Sequence, residues 1–190
     1  MYDPLKTRTA RLAVCLLLGI GLAACGGDDG TGPDENDQGE FTATVSGPIS
    51  GTFSGYAWQS GTVVDAQSNE QGWVLFLGSE DNPGSVVYVV RLGSRPGTGS
   101  YSLVDFNQSS GDLQSGEFAG IATVSLPGGL TFAGSSTGGS LTITSSSEDR
   151  VKGSFNFQIT GFNPTTQMEV TATVSGTFNA VSNPFTFPGF

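Results

Sequence analysis

The feature that most constrains the fold is an alternation of apolar and polar residues between positions 151 and 160, in which only Gly153 is neither. The apolar members are Val151, Phe155, Phe157 and Ile159. The polar members are Lys152, Ser154, Asn156, Gln158 and Thr160. Because successive side chains of a β-strand point to opposite faces, this pattern predicts a strand with one packed face and one solvated face.

The same alternation occurs on either side of this segment, over positions 141–144 and 170–178. Short turn sequences separate the three segments, which are therefore predicted to be consecutive antiparallel strands. Further strands are predicted at Phe41–Ser46, Thr52–Trp58, Trp73–Leu77, Val86–Leu92, Ser100–Val104 and Glu117–Val124. With no amphipathic helical pattern of useful length, we predict an all-β fold, an antiparallel β-sandwich or open β-barrel of about eight to ten strands.

Two of these segments, 73–77 and 86–90, are apolar on both faces. Such segments are typical of central strands or of strands that are covered on both sides. The turn sequence Glu80–Gly84 lies between them and predicts a hairpin. Elsewhere the hexapeptide Thr-Ala-Thr-Val-Ser-Gly occurs at 42–47 and again at 171–176, without a fixed period that would indicate a repeat protein. Two strands in similar environments are enough to explain it.

The N-terminal part of the chain has the pattern of a targeting segment. Three basic residues, Lys6, Arg8 and Arg11, precede an apolar run from Leu12 to Ala24. This run is too short for a membrane span of about 20 residues and suits a secretory signal.

The run ends in Leu22-Ala23-Ala24-Cys25, which resembles the lipobox of bacterial lipoproteins. The resemblance implies a signal peptide over 1–24, a diacylglyceryl group on the sulfur of Cys25, and attachment to a membrane through that lipid. Gly26 stands where an aspartate tends to mark inner-membrane retention, so the resemblance favours the outer membrane of the cell envelope. An ordinary signal peptide with an incidental cysteine is the alternative.

Residues 25–40 are predicted to form a lipid-anchored linker, since the stretch from 26 to 40 is rich in glycine and acids and has no aliphatic or aromatic residue. Part of it is similar to an EF-hand loop, but Val45 replaces the glutamate that such a loop needs, so we predict a solvated spacer. A single domain is predicted over 41–190. Its end, from Asn183 to Phe190, is expected to form an aromatic flap over one end of the domain.

Within this domain, the pattern from Gly139 to Ala180 is similar to uncharacterised small all-β domains of bacterial surface lipoproteins. The similarity covers about forty residues of simple β pattern. It implies a surface location, and no activity or catalytic residue comes with it.

Catalytic chemistry has little support in the sequence. The chain has no histidine, the commonest general base and metal ligand. Gly134–Gly138 matches a nucleophile-elbow pattern, yet a turn rich in serine and glycine is predicted instead. The acid pairs Glu80/Asp81 and Glu148/Asp149 fall in predicted turns, and sequence alone cannot bring other carboxylates together. We therefore predict no catalytic residue, no cofactor and no metal site.

The net charge of the chain argues against some classes of binding partner. Without residues 1–24 the chain has four basic residues against sixteen acids, a formal charge of −12. That balance argues against nucleic acid and against docking on anionic lipid headgroups.

The residues singled out for ligand binding are Tyr56 and Trp58, which share one side of a predicted strand. They have two interpretations: core or seam residues, or a platform with rings about 7 Å apart for a glycan, peptidoglycan or surface-protein ligand. The expected function is a lipid-anchored binding or interaction module without catalysis. A structural envelope lipoprotein and a hydrolase that uses carboxylates are the alternatives.

Overall fold

The computed structural model describes residues 38–65, 70–106, 108, 113–126, 130–163 and 166–183. The predicted signal peptide, the lipidation site Cys25, the linker up to residue 37 and the predicted flap over 184–190 lie outside the described residues. Among the described residues there are strands and turns but no helix. The all-β prediction is therefore confirmed.

Nine strands form the domain, within the predicted range. They are β1 (Gly39–Ser46), β2 (Gly51–Asp65), β3 (Glu70–Ser79), β4 (Val86–Leu92), β5 (Gly99–Leu103), β6 (Phe118–Leu126), β7 (Leu130–Ser146), β8 (Arg150–Asn163) and β9 (Met168–Ser182). The first strand begins at Gly39, slightly before the predicted domain boundary. The hairpin between β3 and β4 turns at the predicted acidic segment.

The nine strands make one sheet that closes on itself as a barrel, in the order β1-β2-β3-β4-β6-β5-β7-β8-β9. The two copies of the repeated hexapeptide complete this ring, since Val45 lies opposite Val174 and Thr44 lies opposite Ser175 in the antiparallel β1–β9 pair. Most pairings are antiparallel. Short parallel contacts join β5 to β6 and β2 to β9.

The barrel interior is filled by the apolar side of the alternating strands. The three phenylalanines that alternation places inside, Phe155, Phe157 and Phe178, are at most 4% exposed, whereas the intervening Asn156 is exposed. This arrangement confirms the predicted register. Dispersion and apolar burial at these inward positions are the main source of stability that the described domain offers.

Two consecutive hydrogen bonds link two strands and a turn at one end of the barrel. The indole Nε1 of Trp73 donates to Oε1 of Gln59 at 2.9 Å. The Nε2 of Gln59 in turn donates to the carbonyl oxygen of Glu148 at 2.9 Å. The side-chain amide of Gln59 can be buried at little cost because its oxygen and one of its N–H groups both have hydrogen-bond partners.

The outer wall of β4 and β6 is partly covered by the segment that connects β5 to β6. Within it, Phe106 and Leu113 pack on Leu92 and Ala119 as a second apolar cluster. The buried hydroxyl of Ser136 holds the start of this segment, donating to the carbonyl oxygen of Val104 at 2.8 Å. Among the described residues, the predicted cover over the doubly apolar strands is therefore seen on this part of the wall.

The prediction of a turn at Gly134–Gly138 is wrong. These residues lie inside β7, which pairs with β6 on one side and with β8 on the other. A shift of register between Ser136 and Gly138 marks a β-bulge, and Gly138 has φ 144. The glycine and serine content that resembles a turn thus accommodates a bulge within a long strand.

Candidate binding surface

Four aromatic side chains lie together on the outer wall of the barrel. They are Tyr56 and Trp58 of β2, Phe76 of β3 and Tyr88 of β4, and we call them the outer-wall strip. The sheet register places Trp58 opposite Phe76, and Phe76 opposite Tyr88. All four are half-buried, while the inward residues that alternate with them, such as Ala57 and Leu75, are fully buried.

Three of the four rings overlap. The ring centroids of Tyr56 and Trp58 are 4.5 Å apart with an interplanar angle of 27°. Phe76 lies 5.6 Å from Trp58 and 5.9 Å from Tyr56, within 19° of parallel to each. Near-parallel rings at these separations are offset-stacked. Tyr88 completes the strip edge-on to Phe76, at 5.1 Å and 66°.

A glycine on the neighbouring strand makes room for this stack. Gly78 lies opposite Tyr56, and the outer end of the tyrosine ring occupies the space that a Cβ at Gly78 would need. The ring therefore covers the bare backbone of β3. An alanine at position 78 would push Tyr56 off the wall without removing any aromatic group.

Polar groups collect at the end of the strip nearest the β3–β4 turn. Burial, followed by the charge of Glu80, raises the pKa of Tyr56 above its usual value of 10.0. Burial, followed by Tyr56, raises the pKa of Tyr88. The outer end of the Tyr56 ring lies against Gly78 of β3, and the backbone N–H of Glu80 donates to the carbonyl oxygen of Ser54 of β2, so the tyrosine hydroxyl and Glu80 lie at the same end of the strip. Asp81 follows, accepting a hydrogen bond from the Ser54 hydroxyl at 2.6 Å.

The structure places both sequence-predicted binding residues, Tyr56 and Trp58, outside the barrel core. The platform geometry needs correction, because the two centroids are 4.5 Å apart instead of about 7 Å. The rings lean onto each other because stacking removes more apolar surface from water than two upright rings would. Sequence reasoning missed Phe76 and Tyr88, although both lie in the segments that are apolar on two faces.

Ser136, the serine of the nucleophile-elbow pattern, uses its hydroxyl in hydrogen bonds that hold the fold together. Ser136 is fully buried; its hydroxyl donates to Val104 and accepts from the backbone N–H of Gly120 at 3.0 Å. Lys152 is exposed on the polar face of β8, as predicted. These contacts give Ser136 a structural role, that of joining β6, β7 and the segment after β5.

The described carboxylates are scattered over the surface. Glu80, Asp81, Glu148 and Asp149 are all exposed in turns. Asp105 and Glu169 both border a shallow depression of about 490 Å³ beside Phe162. In the described part of the chain, no group of three or more His, Cys, Asp or Glu residues could hold a metal ion.

Comparisons with family models, curated proteins and solved structures found no match to this chain. No helix within the described ranges is long and apolar enough to cross a membrane.

Proposed function

We propose that this protein is a lipid-anchored binding module of the bacterial cell envelope, and that its binding face is the outer-wall strip. The observation that carries the proposal is the position of the four rings. They lie outside a closed barrel whose interior is already filled, so the core does not need them. Clustered aromatic rings left half exposed are typical of surfaces that take a ligand or partner.

The N-terminal sequence supports the location. The lipobox-like Leu22–Cys25 supplies a site for the anchor, and Gly26 favours the outer membrane. Two or three acyl chains on Cys25 would hold the protein on a membrane for long periods, since each buried CH₂ contributes about 0.8 kcal/mol. As the spacer predicted from its composition, the linker between Cys25 and β1 would separate the barrel from the membrane by about 20 Å.

The two alternatives have weaker support. A purely structural envelope protein would gain nothing from aromatic rings on its outer wall, where water makes them costly. A hydrolase that uses carboxylates needs two acids at a bound substrate. Asp105 and Glu169 border the same depression, but the depression is shallow and open, and the described residues that line it add no third acid, lysine or cysteine.

The experiment compares two aromatic truncations in the full-length protein. Trp58→Ala should abolish binding to a member of a panel of peptidoglycan, envelope polysaccharides and solubilised envelope proteins. Its free energy of unfolding should fall by only about 1–2 kcal/mol, against about 3–5 kcal/mol for an aromatic in a core. Phe162→Ala removes an aromatic that is 57% exposed on another part of the wall, and should retain binding.

Two results would contradict the proposal. A loss of several kcal/mol in Trp58→Ala would show that the ring is part of the core. Equal binding by Trp58→Ala and wild type, across every member of the panel that binds, would move the binding face away from the strip.

A further inference from the structure

The shape of the strip indicates the size of its partner. The strip lies on the outer wall of a closed barrel, which is convex. Two shallow depressions of about 310 and 490 Å³ lie elsewhere, and none of the four strip residues lines either of them. Small molecules are usually bound in concave sites that bury most of their surface. A convex wall instead suits the surface of another macromolecule.

The charge at the strip indicates the chemistry of that partner. Glu80 and Asp81 are exposed at the end of the strip where the Tyr56 ring lies against Gly78. Arg91 packs over the Phe118 ring at 5.2 Å and Arg150 donates to Oδ1 of Asn179 at 3.0 Å, so neither of these contacts pairs a guanidinium with Glu80 or Asp81. Aromatic faces beside carboxylates therefore present a negative surface, on a chain whose net charge is also strongly negative.

We infer that the strip, taken as the binding face proposed above, seats an arginine side chain of a partner protein over the Tyr56 and Trp58 rings, with its charge toward Glu80. A guanidinium suits this surface better than an ammonium because it is planar, stacks on aromatic rings and forms paired hydrogen bonds with a carboxylate. Tyrosine, tryptophan and arginine are also the residues that most often dominate the binding energy of protein interfaces.

The test uses the full-length protein, ¹⁵N-labelled and held in detergent micelles. The probe is the peptide acetyl-Gly-Arg-Gly-Arg-Gly-amide, and its matched control carries citrulline, which has the shape of arginine without the charge. The chain has two tryptophans, and Trp73 is buried inside the barrel, so the indole signal of Trp58 reports directly on the strip. Chitohexaose serves as a neutral glycan probe.

Two pairs of variants separate a specific site from general attraction to an acidic protein. Glu80→Gln should weaken arginine-peptide binding about two- to fivefold, as expected for one exposed charge pair. Glu148→Gln removes an equally exposed acid in another turn and should leave binding unchanged. Trp58→Ala lacks the reporter indole, so its binding is followed by backbone amide signals; it should weaken binding about tenfold or more, whereas Phe162→Ala should not.

The inference holds if the arginine peptide shifts the Trp58 signal, if citrulline binds at least about fivefold more weakly, and if the two acid variants differ as stated. Equal binding of the two peptides, or equal weakening by Glu80→Gln and Glu148→Gln, would overturn it. A shift caused by chitohexaose but not by the arginine peptide would overturn the arginine assignment and leave the proposed binding face intact. If Trp58→Ala changes the binding of no probe that binds wild type, both proposals fail.

One competing occupant lies in the chain itself. The backbone N–H of Asn183 donates to the carbonyl oxygen of Gln59, next to Trp58, at 3.1 Å. Residues 184–190 follow Asn183 in the sequence and contain three phenylalanines. A chain that ends at Asn183 should bind the arginine peptide as tightly as the full chain does. Clearly tighter binding by the shortened chain would identify this segment as the occupant and refute the inference.

Discussion

Inside the barrel, the ring of Phe157 packs directly against Gly120. The effects of substituting these two residues on the free energy of unfolding should therefore depend strongly on each other. A Cβ built on Gly120 of β6 would lie 2.7 Å from Cε2 of Phe157 and 2.9 Å from Cδ2 of Leu103. Real Cβ atoms do not approach so closely. Phe157 is fully buried, so its ring cannot move aside without disturbing the core.

The expected magnitudes follow from that contact. Gly120→Ala should lower the free energy of unfolding by about 1–3 kcal/mol through overpacking. Phe157→Ala should lower it by about 3–5 kcal/mol, because a large cavity remains. In the double variant the new methyl group no longer meets the ring and fills part of the cavity. The combined loss should therefore be smaller than the sum of the single losses by about 1–2 kcal/mol.

Urea unfolding of wild type, the two single variants and the double variant measures this coupling. The fluorescence of Trp73, buried at one end of the barrel, reports on loss of the core. Asn156→Ala, on the exposed face next to Phe157, is the matched control and should change stability by about 0.5 kcal/mol or less. If the two single losses add to the loss in the double variant within about 0.5 kcal/mol, Phe157 does not pack on Gly120. The placement of Gly120 and Phe157 on the inward faces of β6 and β8 would then be refuted.

Three further predictions concern pH, the anchor and the barrel end. Burial raises the folded-state pKa of Tyr56 and Tyr88 above 10.0, so the stability gained from keeping them protonated is present below about pH 10 and lost as the pH rises through the folded-state pKa. Urea titrations between pH 9 and 11 should therefore show a steeper loss in wild type than in a chain with phenylalanine at both positions, and equal slopes would contradict this. Cys25→Ala should abolish incorporation of labelled fatty acid and release the protein from membranes; an unlabelled wild type would refute the lipoprotein assignment. Gln59→Leu should cost about 1–3 kcal/mol in urea unfolding because the indole N–H of Trp73 loses its buried acceptor, and a loss near zero would place that N–H in contact with water.

Much of the fold is readable from the sequence because its strands are amphipathic. The alternation from Val151 to Thr160 fixes which side chains enter the core, and Phe155 and Phe157 are buried as expected. Alternation does not predict the structure of Gly134–Gly138. Its glycine and serine content resembles a turn, and only pairing with strands on both sides makes it a bulged strand.

The candidate site was predictable in part. Alternation puts Tyr56 and Trp58 on one face of β2, but it cannot say whether that face points into the barrel or toward solvent. Their contacts with Phe76, and the contact of Phe76 with Tyr88, depend on the registers of β2–β3 and β3–β4 and join residues 12 to 20 positions apart. Side-chain stacking of this kind is a tertiary effect that no local pattern encodes.

The most direct test of the central claim is hydroxyl-radical footprinting, performed both on the purified protein and on intact cells that carry it. In the purified protein, Trp58 should be oxidised and Trp73, which is buried inside the barrel, should not. In cells, where the partner is present, Tyr56 and Trp58 should be protected, while the exposed Phe162 should react equally in both samples. Oxidation of Trp73 in the purified protein would contradict the fold, and equal oxidation of Trp58 in both samples would contradict the assignment of the strip as a binding face.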